Sequence, residues 1–219
     1  MIVVLGSPSA RRRNGVVQPA GLAGWIAASA ADAGASVQLV GRVGDDDLGD
    51  AVVLGLARSN VGHAALLRDA AHPTPVVASE EEWPDDPASQ IVEGDSPAPT
   101  TGTRSAPGGG PAMDAEDVAL GLRYLTDFAV LVIADPLSAR AASAAHDAAA
   151  FAGARTISIT RGPTVPAPGH DAFEPPAGEP EAFAGVIGRY AAALDRGVEP
   201  DAAFATAVRM AGWSPTETG

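Results

Sequence analysis

The chain predicts a doubly wound α/β fold, a mostly parallel sheet with helices on both faces. Three observations carry that prediction. Short, near-continuous apolar runs recur at residues 2–6, 37–40 and 128–134, the signature of parallel strands covered on both sides. Stretches of helical spacing separate them, so strand and helix alternate from residue 2 to residue 160. Glycines and capping residues stand at the joints, most densely between Ala20 and Asp50.

Residues 2–6 form the first strand, ending at Gly6-Ser7, and Arg11, Arg12 and Arg13 follow in a short loop. Small residues fill a helix from Gly21 to Ala33, which Gly34 stops where a left-handed cap is needed. Val37 to Val40 is the second strand, and Gly41 and Gly44 bracket the turn after it. Asp45 to Asp47 place carboxylates at the start of the next helix, where its dipole favours them. That helix, Leu48 to Ser59, shows one apolar face (Leu48, Val52, Val53, Leu56) and ends at Asn60. Two short strands are expected at His63–Leu67 and Thr74–Ser79.

From 80 to 111 the character changes. Seven carboxylates precede a Pro/Gly/Ser/Thr-rich tail ending in Gly108-Gly109-Gly110, a composition that buries too little apolar surface to offset its ordering entropy and reads as a mobile loop. Asp114 then caps a helix, with Asp117 in the capping-box position. Phe128 to Ala134 is a strand closed by Asp135-Pro136, Ser138 caps a helix running to Ala152, and Gly153 ends it. Thr156 to Thr160 is a further strand. Residues 161–179 read as a Pro/Gly-rich loop, followed by helices at 180–196 and 199–212.

The length of 219 residues suits one domain spanning 1–219. Aromatic residues are 5% of the chain, so helices must pack by close backbone approach. No cysteine is present, which excludes disulfides and thiolate metal sites and makes the cytoplasm the expected compartment. No apolar run has the length of a membrane span. A net charge of −13 argues against nucleic-acid binding, which needs a basic face. All 14 basic residues are Arg; without lysine, a Walker A loop and a Schiff base are impossible. Ser143, His146 and Asp147 lie on one helix and so cannot converge as a triad. The four histidines show no ligand spacing, so no metal site is expected.

Ala20-Gly21, Ala27, Gly34 and Gly44, with the text GRVGDDDLGD, resemble the N-terminal signature of the ribokinase (PfkB-type) carbohydrate kinases. The text EAFAGVIGRYAAALDRG resembles that family's C-terminal signature helix. The resemblance implies ATP-dependent phosphorylation of a sugar or nucleoside hydroxyl, with Mg²⁺. Gly21 and Asp45 fall at family substrate positions. Two others are substituted: Arg11 stands where an Asp binds sugar hydroxyls, and Trp25 where an Asn does. The family inserts a small β-sheet lid before its Gly-Gly helix, but only about a dozen residues separate Ser7 from Ala20, too few for it at strand rise. A lid-mediated dimer is therefore not expected.

The family's Gly-Ala-Gly-Asp, which builds an anion hole and supplies the catalytic base, corresponds here to Gly178, Glu179, Pro180 and Glu181. Pro180 lacks an N–H, and Glu179 adds a negative charge where phosphate would sit. Two like charges about 4 Å apart cost on the order of 4 kcal/mol at an effective dielectric near 20, comparable with the roughly 3–4 kcal/mol of one oxyanion donor. Glu181 still offers a carboxylate at the base position. The expectation is a kinase-like protein with weak or no phosphotransfer. The alternatives are an active small-molecule kinase using Glu181, or a non-catalytic ligand-binding or regulatory subunit.

Overall fold

The computed structural model describes residues 1–77, 111–160, 169–176 and 178–211. Six strands, β1 (Ile2–Leu5), β4 (Val37–Gly44), β5 (Val61–Asp69), β6 (Val130–Ile133), β7 (Arg155–Ile159) and β8 (His170–Phe173), form one sheet in the order β5-β4-β1-β6-β7-β8. Every pairing in it is parallel. A separate antiparallel pair joins β2 (Ser9–Arg13) to β3 (Val16–Ala20). The helices are α1 (Gly21–Asp32), α2 (Asp47–Arg58), α3 (Ala115–Arg123), α4 (Ala139–Ala152), α5 (Pro180–Asp195) and α6 (Pro200–Ala211).

The strand pleat sorts the core into two layers. Ile2 and Val4 of β1 join Leu39, Val132 and Ile157 against α1, α2, α5 and α6. Val3 and Leu5 point the other way, with Val40, Leu131 and Ile133, against α3 and α4. Both faces are thus covered, which is why these strands carry apolar residues at every position. With few aromatics, the helices approach closely: a Cβ on Gly188 of α5 would lie 2.7 Å from the Ile26 carbonyl oxygen of α1.

The joints behave as their residues dictate. Gly34 takes φ +86°, and the Gly34 and Ala35 amides donate to the carbonyls of Ala31 and Ala30, a Schellman closure of α1. Asp114 and Asp117 form the reciprocal capping box of α3.

Several elements differ from expectation. The residues read as an Arg-bearing loop after Ser7 form the β2–β3 hairpin, placing Arg11, Arg12 and Arg13 in a strand. Its turn is Asn14-Gly15, both at positive φ (51° and 75°), the backbone that a tight two-residue hairpin requires. Strand β4 runs through Gly41 to Gly44 instead of turning at Gly41. Gly41 is needed for proximity to β1, since a Cβ there would sit 2.1 Å from the Gly6 carbonyl oxygen. The expected strand at Thr74–Ser79 reduces, within the described residues, to a bridge between Val76 and Ala10. The stretch read wholly as a Pro/Gly-rich loop contains β8, a short edge strand paired with β7. Apart from Pro111, the loop read at 80–111 lies outside the described residues, as do 161–168 and the chain after Ala211. Among the described residues no helix is long and apolar enough to cross a membrane.

Candidate functional site

From β1 the chain moves outward to β4 and β5 on one side, while β6, β7 and β8 build the other. The strand order therefore reverses between β1 and β6, and in such sheets the crevice beyond the carboxyl ends at the reversal is where ligands bind. Gly6-Ser7 follows β1 and Asp135 follows β6, so both stand at this crevice. The Ser7 amide donates to Asp135 Oδ2 at 2.7 Å, and the Ser7 hydroxyl donates to the Pro111 carbonyl at 2.8 Å. A Cβ on Gly6 would lie 2.8 Å from Ala23 Cβ and 2.9 Å from Asp135 Oδ2. Burial pushes the Asp135 carboxyl up to about 6, against the opposing pull of the Ser7 amide. In the sequence Asp135 reads only as a strand terminator. Its signal is positional: a carboxylate directly after a central parallel strand.

Next to it, at the end of β4, Arg42 grips Asp117 with Nε and Nη2, each at 2.8 Å, and approaches Asp69 at 3.4 Å. His72 Nδ1 lies 3.1 Å from the same Asp69 oxygen. Asp46 caps α2: its Oδ1 accepts from the Gly49 amide at 2.7 Å, and its Oδ2 from the Thr74 amide at 2.8 Å. The neighbouring Asp45, a substrate position by resemblance, is exposed in the β4–α2 turn, with its amide on the Asp69 carbonyl at 3.0 Å.

Three other residues singled out from the sequence are brought together from distant parts of the chain. Arg11 of β2 forms a two-pronged ion pair with Glu181 in the first turn of α5, its Nη1 on Oε2 and its Nη2 on Oε1. The Arg11 guanidinium carbon also lies 5.4 Å from the centre of the Trp25 ring on α1, within cation–π range. Arg11 is 16% exposed and Glu181 51%. The Arg11 hydrogen bonds hold the Glu181 carboxyl below its usual range, although burial opposes them. Among the described residues, Arg11 Nε and Trp25 Nε1 are buried with no hydrogen-bond partner. Gly21 opens α1 at φ +73°, and a Cβ there would meet Ser9 Oγ at 3.0 Å; that crowding and the positive φ explain a glycine at this helix start.

At the start of α5, Gly178 takes φ +96°, Glu179 is the N-cap without a side-chain cap bond, and Pro180 occupies the first turn. All three are exposed. These residues do not fit a triphosphate well: one amide of the first turn is missing, and two carboxylates, Glu179 and Glu181, flank it. Among the described residues no group of three or more His, Asp or Glu side chains converges as a metal site.

The parallel sheet with helices on both faces and a reversal crevice is a doubly wound α/β fold. Among solved structures the chain is similar to Escherichia coli phosphofructokinase-2 in complex with fructose-6-phosphate, at TM-score 0.59 and 14% identity, covering 96% of this chain and 92% of that one. It is similar to Arabidopsis thaliana ribokinase complexed with ribose and ATP, at TM-score 0.55 and 13% identity, covering 96% and 90%. It is also similar to the crystal structure of Sa239, at TM-score 0.65 and 12% identity, covering 100% of this chain and 94% of that one. No protein-family model matches the sequence, and no curated protein does. The shared feature is the carbohydrate-kinase fold.

Proposed function

We propose that this chain is a ribokinase-like protein whose phosphotransfer site is closed by its own side chains, leaving weak or no kinase activity. The observation that supports the reading is the Arg11–Glu181 ion pair lying on Trp25. A general base must present a free lone pair to the hydroxyl it deprotonates. Glu181 has both oxygens engaged by a guanidinium, which lowers its basicity. Arg11 and Trp25 fill the positions where the family's carboxylate and amide would hold sugar hydroxyls. Pro180 and Glu179 weaken the neighbouring anion hole. A sugar or nucleoside remains the class of ligand proposed for the crevice, with ATP and Mg²⁺ its partners if any turnover exists.

The second reading, an active small-molecule kinase, has one observation in its favour: Glu181 is half exposed, so a substrate could reach it once Arg11 moved. Purified protein with ATP, Mg²⁺ and a panel of sugars and nucleosides separates the two. No turnover above the no-enzyme rate supports closure. Turnover that Glu181→Gln abolishes overturns it. A lid-mediated dimer is not expected, and sedimentation equilibrium of the pure protein checks that.

A further inference from the structure

At the opposite, amino-terminal end of the sheet from the crevice lies a second feature. His146 on α4 and His170 at the start of β8 bring their rings to a centroid separation of 5.2 Å. They line an open pocket of about 340 Å³ together with Thr156, Gly169 and alanines of α4. In the sequence the two histidines have no ligand spacing; the pairing of β8 with β7, Thr156 opposite His170, creates the juxtaposition.

We propose that His146 and His170 form a two-histidine site for a borderline-soft divalent transition ion such as Zn²⁺ or Ni²⁺, with water completing its coordination. Zinc–imidazole bonds of about 2.0–2.1 Å place each ring centre roughly 3.2 Å from the ion. A tetrahedral angle then separates the two centres by about 5.2 Å, which matches the distance found. His170 Nε2 lies 2.8 Å from Ser158 Oγ. Such an outer partner fixes a ligating imidazole and leaves the other ring nitrogen for the metal. Desolvation, and then the proximity of His146, lower the His170 pKa, the direction that favours the neutral ring. His146 is exposed, which leaves room for water ligands. Asp171, the next residue, is committed elsewhere, to Arg155 and Tyr190, so it supplies no third donor.

The test is calorimetric titration of the tag-free full chain with ZnCl₂ at pH 7.5, repeated on His146→Ala, His170→Ala and a His63→Ala/His72→Ala control. The expected result is one saturable ion per chain, weakened at least about tenfold in each single variant and unchanged in the control. Ni²⁺ should also selectively broaden the imidazole resonances of these two histidines. No saturable binding up to millimolar Zn²⁺ would overturn the proposal. So would affinity that survives His170→Ala, or that falls equally in the control.

Discussion

Replacing Asp135 by Asn should stabilise the protein at neutral pH, an unusual outcome for a hydrogen-bonded carboxylate. The Ser7 amide is its hydrogen-bond donor, and burial raises its carboxyl from 3.8 to about 6. A group whose pKa is higher folded than unfolded binds more protons in the native state between those two values, so stability falls as pH rises through that window. The rise of roughly two pH units, at about 1.4 kcal/mol each, makes ionised Asp135 a burden of about 3 kcal/mol at pH 7. Asn removes the charge while its side-chain oxygen can still accept from Ser7. Because a neutral acceptor gives up part of a charge-assisted bond, the net gain should be about 2 kcal/mol. Urea unfolding at pH 7.5 would register it as a higher midpoint with an unchanged slope. At pH 3.5, where the carboxyl is largely protonated in both states, the advantage should shrink toward zero. A variant that is equally stable, or less stable, at pH 7.5, or whose gain persists undiminished at pH 3.5, refutes the reasoning.

The Arg11–Glu181 pair should show the opposite pH dependence: its depressed carboxyl contributes stability above the ordinary Glu value that is lost as pH falls through its lower folded value. A double-mutant cycle with Arg11→Met and Glu181→Gln, read by thermal unfolding at pH 7, should give a coupling of about 1 kcal/mol, modest because Glu181 is half exposed. Tyr190→Phe keeps the aromatic contacts with Phe173 and Phe204 but removes the 2.9 Å bond to Asp171; denaturant unfolding should show a loss of roughly 1.5–2 kcal/mol. Gly41→Ala forces a methyl against the Gly6 carbonyl and should lose about 3 kcal/mol, whereas Gly34→Ala, with nothing within 4 Å of its added Cβ, should lose only about 1 kcal/mol for its left-handed backbone. Comparing the two unfolding midpoints separates crowding from conformational strain.

Much of the frame was legible in the chain because its signals are local. The apolar runs became β1, β4 and β6, and the Gly34 stop and the Asp114–Asp117 box closed as their residue types dictate. What escaped depends on partners far along the chain. HDAF carries too little apolar character to announce a strand and becomes β8 by pairing with β7. The Arg-rich stretch looked like a loop because charge outweighed the Asn14-Gly15 hairpin signal that was present. Arg11, Trp25 and Glu181 were each singled out as substituted positions, but their mutual contact spans 170 residues of sequence and no spacing rule reports it. Asp135 was seen as punctuation because its importance lies in the order of strands, which becomes visible only once the sheet is assembled.

The placement of β1 at the centre of the sheet bears on how the chain is made. β1 is synthesised before both of its partners, β4 on one flank and β6 on the other. The second flank forms only after a separation such as the 128 residues between Ser7 and Asp135 has been synthesised. Vectorial synthesis therefore leaves an open, wholly apolar edge waiting until β6 has been made. Such long-range pairing slows folding and exposes the nascent chain to aggregation. Truncation before Val130 should yield insoluble protein, a burden that falls on chaperones in the cell and on low-temperature expression at the bench.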